Sequence, residues 1–101
     1  MRVIVMFDLP VTTKADIRNY NRFRKYLIRS GFIMMQESVY TKLALNATAA
    51  EFVMKRVRAN KPPAGLVQML MITEKQFSKI EYVVGSRTSE IIDSAERLVV
   101  L

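Results

Sequence analysis

At 101 residues, with 16 Lys/Arg against 9 Asp/Glu, the chain has room for one small, strongly basic domain. It contains no Cys and no His, which excludes zinc fingers, thiol chemistry, Ser-His triads and imidazole acid–base catalysis. Half of its residues are hydrophobic, more than a small monomer needs to fill one core, and the surplus points to a surface buried against a partner.

Val3-Ile4-Val5-Met6-Phe7 is a β-branched and aromatic run that reads as a strand buried on both faces. It ends at Asp8, too early for a signal-peptide core, and no later stretch approaches a membrane span. With no Cys either, the expected location is the cytoplasm, with no membrane partner. Asp8-Leu9-Pro10 carries turn chemistry, and Thr13 with Asp16 makes a weak capping box. A helix over roughly 14–30 follows, with Ile17, Tyr20, Leu27 and Ile28 on its apolar face and Ser30-Gly31 as its stop. Phe32 to Met35 and Ser38 to Leu45 read as two strands of a hairpin. Asn46 or Thr48 caps a second helix over about 47–60, whose apolar stripe is Ala50, Val53, Met54 and Val57. Asn60 to Gly65 is a loop, Leu66 to Ile72 an apolar strand, and Thr73 to Lys79 a short helical turn. Tyr82-Val83-Val84 and Leu98 to Leu101 read as short strands around a polar connection from Gly85 to Glu96. No repeat or linker divides the chain, so residues 1–101 form one domain, with a core over 1–73 and an extension over 74–101.

The order β-α-β-β-α-β is the α+β, ferredoxin-like pattern, in which two helices cover one face of an antiparallel sheet. Neither Val3–Phe7 nor Leu66–Ile72 alternates apolar with polar residues, so both sheet faces call for burial while helices cover only one. A second copy packed sheet on sheet would cover the other, as a homodimer with strand one near the two-fold axis. The alternative is an extension folded back over its own sheet.

The basic character is concentrated: residues 1–61 hold 12 Lys/Arg and 4 Asp/Glu, residues 62–101 hold 4 and 5. Such asymmetry favours a polyanionic partner, nucleic acid before membrane. On the first helix Arg18, Arg22, Lys25 and Arg29 fall within an arc of roughly 60°, with Lys14 beside them and Asp16 turned elsewhere. Like charges four residues apart destabilise an isolated helix, so an uninterrupted row calls for a reason. A solvated face is the ordinary one; phosphate binding is the stronger one in so basic a chain. Lys55, Arg56, Arg58 and Lys61 form a second cluster, which the dipole at the end of helix two explains equally well. With few Asn or Gln and no aromatic ladder, the expected mode is recognition of a duplex by shape and backbone.

Asp8 closes the first strand. A strand-end carboxylate can hold Mg²⁺ or Mn²⁺, and in a two-fold dimer two Asp8 could share one ion and support phosphodiester hydrolysis without a His. Against this stands an Asp that simply initiates the Asp8-Leu9-Pro10 turn. Spacing alone favours the turn, since one carboxylate is not a metal site.

Several segments in order carry a resemblance: Phe7-Asp8-Leu9-Pro10; Tyr20 to Leu27; Gly31-Phe32-Ile33-Met34; Gln36 to Tyr40; Ala59-Asn60-Lys61-Pro62; and Thr73 to Phe77. Together they resemble the second of the two universal CRISPR adaptation proteins, in its type II form. The resemblance spans nearly the whole chain. It implies a ferredoxin-like homodimer that bridges two dimers of the CRISPR integrase while a short DNA duplex is inserted as a new spacer. It also implies a metal-dependent nuclease of RNA or double-stranded DNA, with Asp8 as the metal-binding and catalytic aspartate and Ser38 beside it in a Ser-Val-aromatic motif. The basic residues at Lys14, Arg18, Arg22, Lys25 and Arg29, with Lys55, Arg56 and Arg58, would contact nucleic acid, and the tail after Thr73 the integrase.

Three readings therefore stand: a DNA-binding subunit of a spacer-acquisition complex, a Mg²⁺-dependent endonuclease or toxin-like ribonuclease using paired Asp8, and a small regulatory domain for a metabolite. The last has no Gly-rich loop or polar pocket signature behind it, and no small-molecule substrate is expected.

Overall fold

The structure is a computed structural model and describes residues 1–86. The chain runs β1 (Arg2–Asp8), α1 (Lys14–Arg29), β2 (Ile33–Gln36), β3 (Val39–Leu43), α2 (Ala47–Ala59), β4 (Leu66–Ile72) and α3 (Glu74–Ser78). The four strands form one antiparallel sheet in the order β2-β3-β1-β4. This is the expected ferredoxin-like arrangement, with β1 at the centre.

Local chemistry sets the helix ends. Thr13 Oγ1 accepts from the Asp16 amide at 3.0 Å while the Thr13 amide donates to Asp16 Oδ2 at 3.1 Å, a complete capping box. At the other end the Gly31 amide donates to the Ile28 carbonyl and the Phe32 amide to the Leu27 carbonyl, with Gly31 at φ 92°. That is a Schellman closure, and a side chain at Gly31 would be strained by the left-handed backbone. Asn46 caps α2 through the Ala49 amide at 2.8 Å.

Val3, Val5 and Phe7 of β1 alternate onto the face beneath the helices. They pack there with Tyr40 of β3, Phe23 and Leu27 of α1, and Ala50 and Val57 of α2. Phe7 lies edge-on to Phe23 at 5.3 Å and stacks on Tyr40 at 5.7 Å. Ile17 and Ile28, expected on the buried stripe, are exposed. The face of α1 that meets the sheet is centred on Phe23 and Leu27, with Tyr20 packed against them, and both isoleucines lie about a right angle from it.

The second sheet face is divided. Arg2 is buried at the start of β1, its guanidinium 4.3 Å above the ring of buried Phe77 and bonded to both Glu74 carboxylate oxygens at 2.6 and 3.1 Å. Alternation sets Arg2 opposite the helix-facing Val3, so α3 folds back over this end of its own sheet. Ile4 and Thr41 on the same face are also buried. β4 departs from the expectation that both its faces are covered: Leu66 is 55% and Leu70 49% exposed, because the helices cover only Val67, Met69 and Met71. Tyr82-Val83-Val84 is not a strand. It is irregular, with bends at Val83 and Val84, both almost fully exposed, and among the described residues no strand forms a ladder with it. The expected strand at Leu98–Leu101 lies outside the described residues.

Candidate nucleic-acid interface

The outer side of α1 is a row of free cations. Lys14, Arg18, Arg22, Lys25 and Arg29 are all exposed and border one shallow trough with Ile17 and Asn21. None of the five has an ion pair or side-chain hydrogen bond among the described residues, where Arg2–Glu74 is the one ion pair. The row lies opposite the Phe23–Leu27 stripe, so the same 16-residue helix that fills the core with one face presents the cations with the other. Eleven residues from Arg18 to Arg29 span about 16 Å at 1.5 Å each, about five phosphate steps of one strand. Asp16 is withdrawn into the capping box. Arg24, on the same helix, is not part of the row: its Nε donates to the buried Tyr40 hydroxyl at 2.9 Å.

The second cluster does not form one patch. Lys55, Arg56 and Arg58 are all exposed, but at about 100° per residue Lys55 and Arg58 lie about 60° apart while Arg56 points more than a right angle away from their midline. Arg56 turns toward α1 and shares a cavity with Arg29, Lys42 and Phe52, while Lys55 and Arg58 do not line it. Sequence reasoning missed this cavity. The signal available was the Phe52/Arg56 pair four residues apart, an exposed ring beside a cation.

Asp8 ends β1 opposite Leu66, exposed, with no hydrogen-bond partner for its carboxylate among the described residues. Alternation places it on the second sheet face, with Ile4 and Met6. Ser38 is brought beside it by the backbone: the Phe7 amide donates to the Ser38 carbonyl at 3.0 Å, and no side-chain bond joins Ser38 to Asp8. Gly65 holds the far side. A Cβ there would come within 2.9 Å of the Asp8 carbonyl oxygen and 2.7 Å of Leu9 Cδ2, and its φ is +96°. No group of three or more His, Cys, Asp or Glu suited to a metal occurs among the described residues. Among the described residues, Asp8 therefore belongs to no cluster that could hold a divalent ion by itself. No described helix is long and apolar enough to cross a membrane.

Fold and site together define a small ferredoxin-like domain with an unpaired cationic helix face on one side of the sheet and an exposed strand-end carboxylate on the other. Residues 1–80 match the family described as CRISPR associated protein Cas2. The chain is 55% identical over 101 residues to the CRISPR-associated endoribonuclease Cas2 of Treponema denticola, and 45% identical over 101 residues to that of Lacticaseibacillus rhamnosus. Each alignment covers 100% of both proteins. The crystal structure of Streptococcus pyogenes Cas2 at pH 6.5 matches with a TM-score of 0.61 and 15% identity, over 84% of this chain and 100% of that one, a likeness of fold. The chain belongs to the Cas2 family, the CRISPR adaptation family that its sequence resembles.

Proposed function

We propose that the chain works in the cytoplasm as a homodimer that grips the backbone of double-stranded DNA and bridges dimers of the CRISPR integrase during insertion of new spacers. The observation that carries this reading is the unpaired row on α1. Backbone recognition needs unpaired cations at phosphate spacing, and that face carries five of them with Asn21 as the one uncharged side chain of a base-reading type. Leu66, Leu70 and Leu43, exposed on the second sheet face, support the dimer, since apolar side chains on a sheet face call for cover. Charge reversal at Arg18 and Arg22 should lower duplex affinity and flatten its salt dependence, while Asp8→Ala should leave spacer acquisition in cells intact. A purified chain that runs as a single copy and ignores duplex at low ionic strength overturns the proposal.

A second reading rests on Asp8, whose carboxylate is free, and on the endoribonuclease name of the relatives. Here two copies would pair Asp8 with Asp8 around one Mg²⁺ or Mn²⁺, with Ser38 alongside, and hydrolyse RNA or double-stranded DNA. The donor set fits a divalent ion only when the second copy supplies its carboxylate, because Asp8 belongs to no metal-suited cluster among the described residues. Such an ion, when bound, lowers the pKa of a water and so makes a nucleophile without a histidine. Asp8 would hold the charge, and the turn packed under Gly65 would fix its position. Divalent-dependent cleavage that survives Asp8→Ala refutes this reading.

A further inference from the structure

Where α1 ends, a solvent-open cavity of about 320 Å³ lies between it, β3 and α2. That size is at the lower end of the roughly 300–1,000 Å³ of small-ligand clefts. Its lining includes three cations, Arg29, Lys42 and Arg56, two rings, Tyr26 and Phe52, and no carboxylate. A cleft lined by one sign of charge concentrates ions of the other sign. Lys42 Nζ donates to the Ser30 carbonyl at 2.5 Å and so offsets the negative end of α1, which would otherwise repel an anion here. Neither guanidinium has an ion pair among the described residues. Tyr26 packs against the core, but Phe52 is 60% exposed and lies outside it, with the Arg56 guanidinium 6.0 Å from its ring centroid.

We propose that this cavity is a binding site for a soluble nucleoside diphosphate, its base on the Phe52 ring and its two phosphates among Arg29, Lys42 and Arg56. The charge count favours a free diphosphate. A phosphodiester within a strand brings one negative charge to three cations, a terminal phosphate brings at most about two, and a second phosphate raises this to about three. Pyrophosphate would match the cations but leave the ring unused, and an apolar ligand would do the reverse. A nucleoside diphosphate uses both, through stacking that tolerates any base and through charge-assisted bonds from the guanidinium groups. The inference goes beyond the backbone reading of α1 and does not need it, because the ligand is a small molecule that binds without DNA and is not turned over.

The test uses ADP as the probe, with adenosine and pyrophosphate as its two halves. In calorimetric titrations of the intact protein, ADP should bind saturably. Adenosine, without charge for the cations, and pyrophosphate, without a base, should each bind at least about fivefold more weakly. Phe52→Leu should weaken ADP about 5- to 150-fold, the range base–aromatic stacking gives, and leave pyrophosphate unchanged. Arg56→Gln should weaken both. The chain has no Trp, so Phe52→Trp places a single fluorophore in the cavity, and ADP should quench its emission. Thermal unfolding of the three variants without ligand should match that of the intact protein, since both side chains are exposed. No binding at millimolar ADP, pyrophosphate bound as tightly as ADP, or ADP affinity unchanged in Phe52→Leu overturns the proposal. So does an oligodeoxynucleotide that quenches Phe52→Trp at a lower nucleotide concentration than ADP, which would assign the cavity to a strand. Binding of ADP by a protein that ignores duplex would count against the backbone reading of α1 and support this one.

Discussion

Replacing Arg18 and Arg22 by Gln removes two charges from the middle of the α1 row without touching the core, because both side chains point away from Phe23 and Leu27. Each phosphate contact on duplex DNA contributes about 0.9 to the slope of log affinity against log salt. The double variant should therefore lower the slope by about 1.8 for each copy of the chain that lies against the duplex, and by about 3.6 if both copies of a dimer do. Over a fourfold rise in salt, affinity of the variant should fall less steeply than that of the unmodified protein, by about tenfold per engaged copy. Anisotropy titrations of a fluorescent duplex at several salt concentrations measure this directly, and thermal unfolding of the variant should be unaltered. An unchanged slope would refute the reasoning even if affinity dropped, since the arginines would then act through conformation and not by displacing counterions. The size of the change also counts copies, which a single affinity cannot do.

Three further outcomes follow from the geometry. Glu74→Gln removes the partner charge from buried Arg2; because Glu74 itself is 40% exposed, the loss should be about 1–2 kcal/mol in urea unfolding, below the 3–5 kcal/mol of a fully buried pair. Gly65→Ala forces a Cβ against the Asp8 carbonyl at φ +96° and should destabilise by about 1–3 kcal/mol by the same measurement, with any divalent-dependent cleavage falling as the β1 turn shifts. Tyr40→Phe takes away the acceptor of the Arg24 bond and should reduce stability by about 1 kcal/mol, with no change in the salt slope for duplex, because Arg24 lies outside the cationic row.

Where local chemistry decides, the sequence was legible. Thr13 with Asp16, Ser30-Gly31 and Asn46 mark helix ends that the structure places within a residue, because a cap needs only groups close along the chain. The cationic row follows from helical periodicity, and the fold class from the β-α-β-β-α-β order of the elements. What escaped depends on contacts between distant segments. Arg2 and Glu74 lie 72 residues apart, and nothing local shows that a strand-opening arginine is buried. Helical spacing alone puts Ile17 and Ile28 on the apolar stripe, and the rotation that buried Phe23 and Leu27 impose on α1 turns both outward. Tyr82-Val83-Val84 has the composition of a strand, but a strand exists only where a neighbour accepts its ladder. The irregular register between Met34 and Gln36, opposite Val39 and Tyr40, had no sequence mark at all.

The division of the second sheet face follows from the same competition. β1 is apolar at Ile4 and Met6 as well as at Val3, Val5 and Phe7, so its outer side must be covered or lose the stabilisation of burial. α3 covers the Arg2 end by an ion pair and a ring contact, and both depend on Arg2 alone. The opposite end, at Asp8, Leu66 and Leu70, has no such anchor and stays open. The carboxylate thus sits at the uncovered end of the most buried strand. A second copy seated on the open end would bury the leucines and bring its own Asp8 toward the first. On this reading, dimer formation and any metal-dependent chemistry are a single event, and mutations that seal the Asp8 end against a second copy should abolish both together while leaving the cationic face of α1 unaltered.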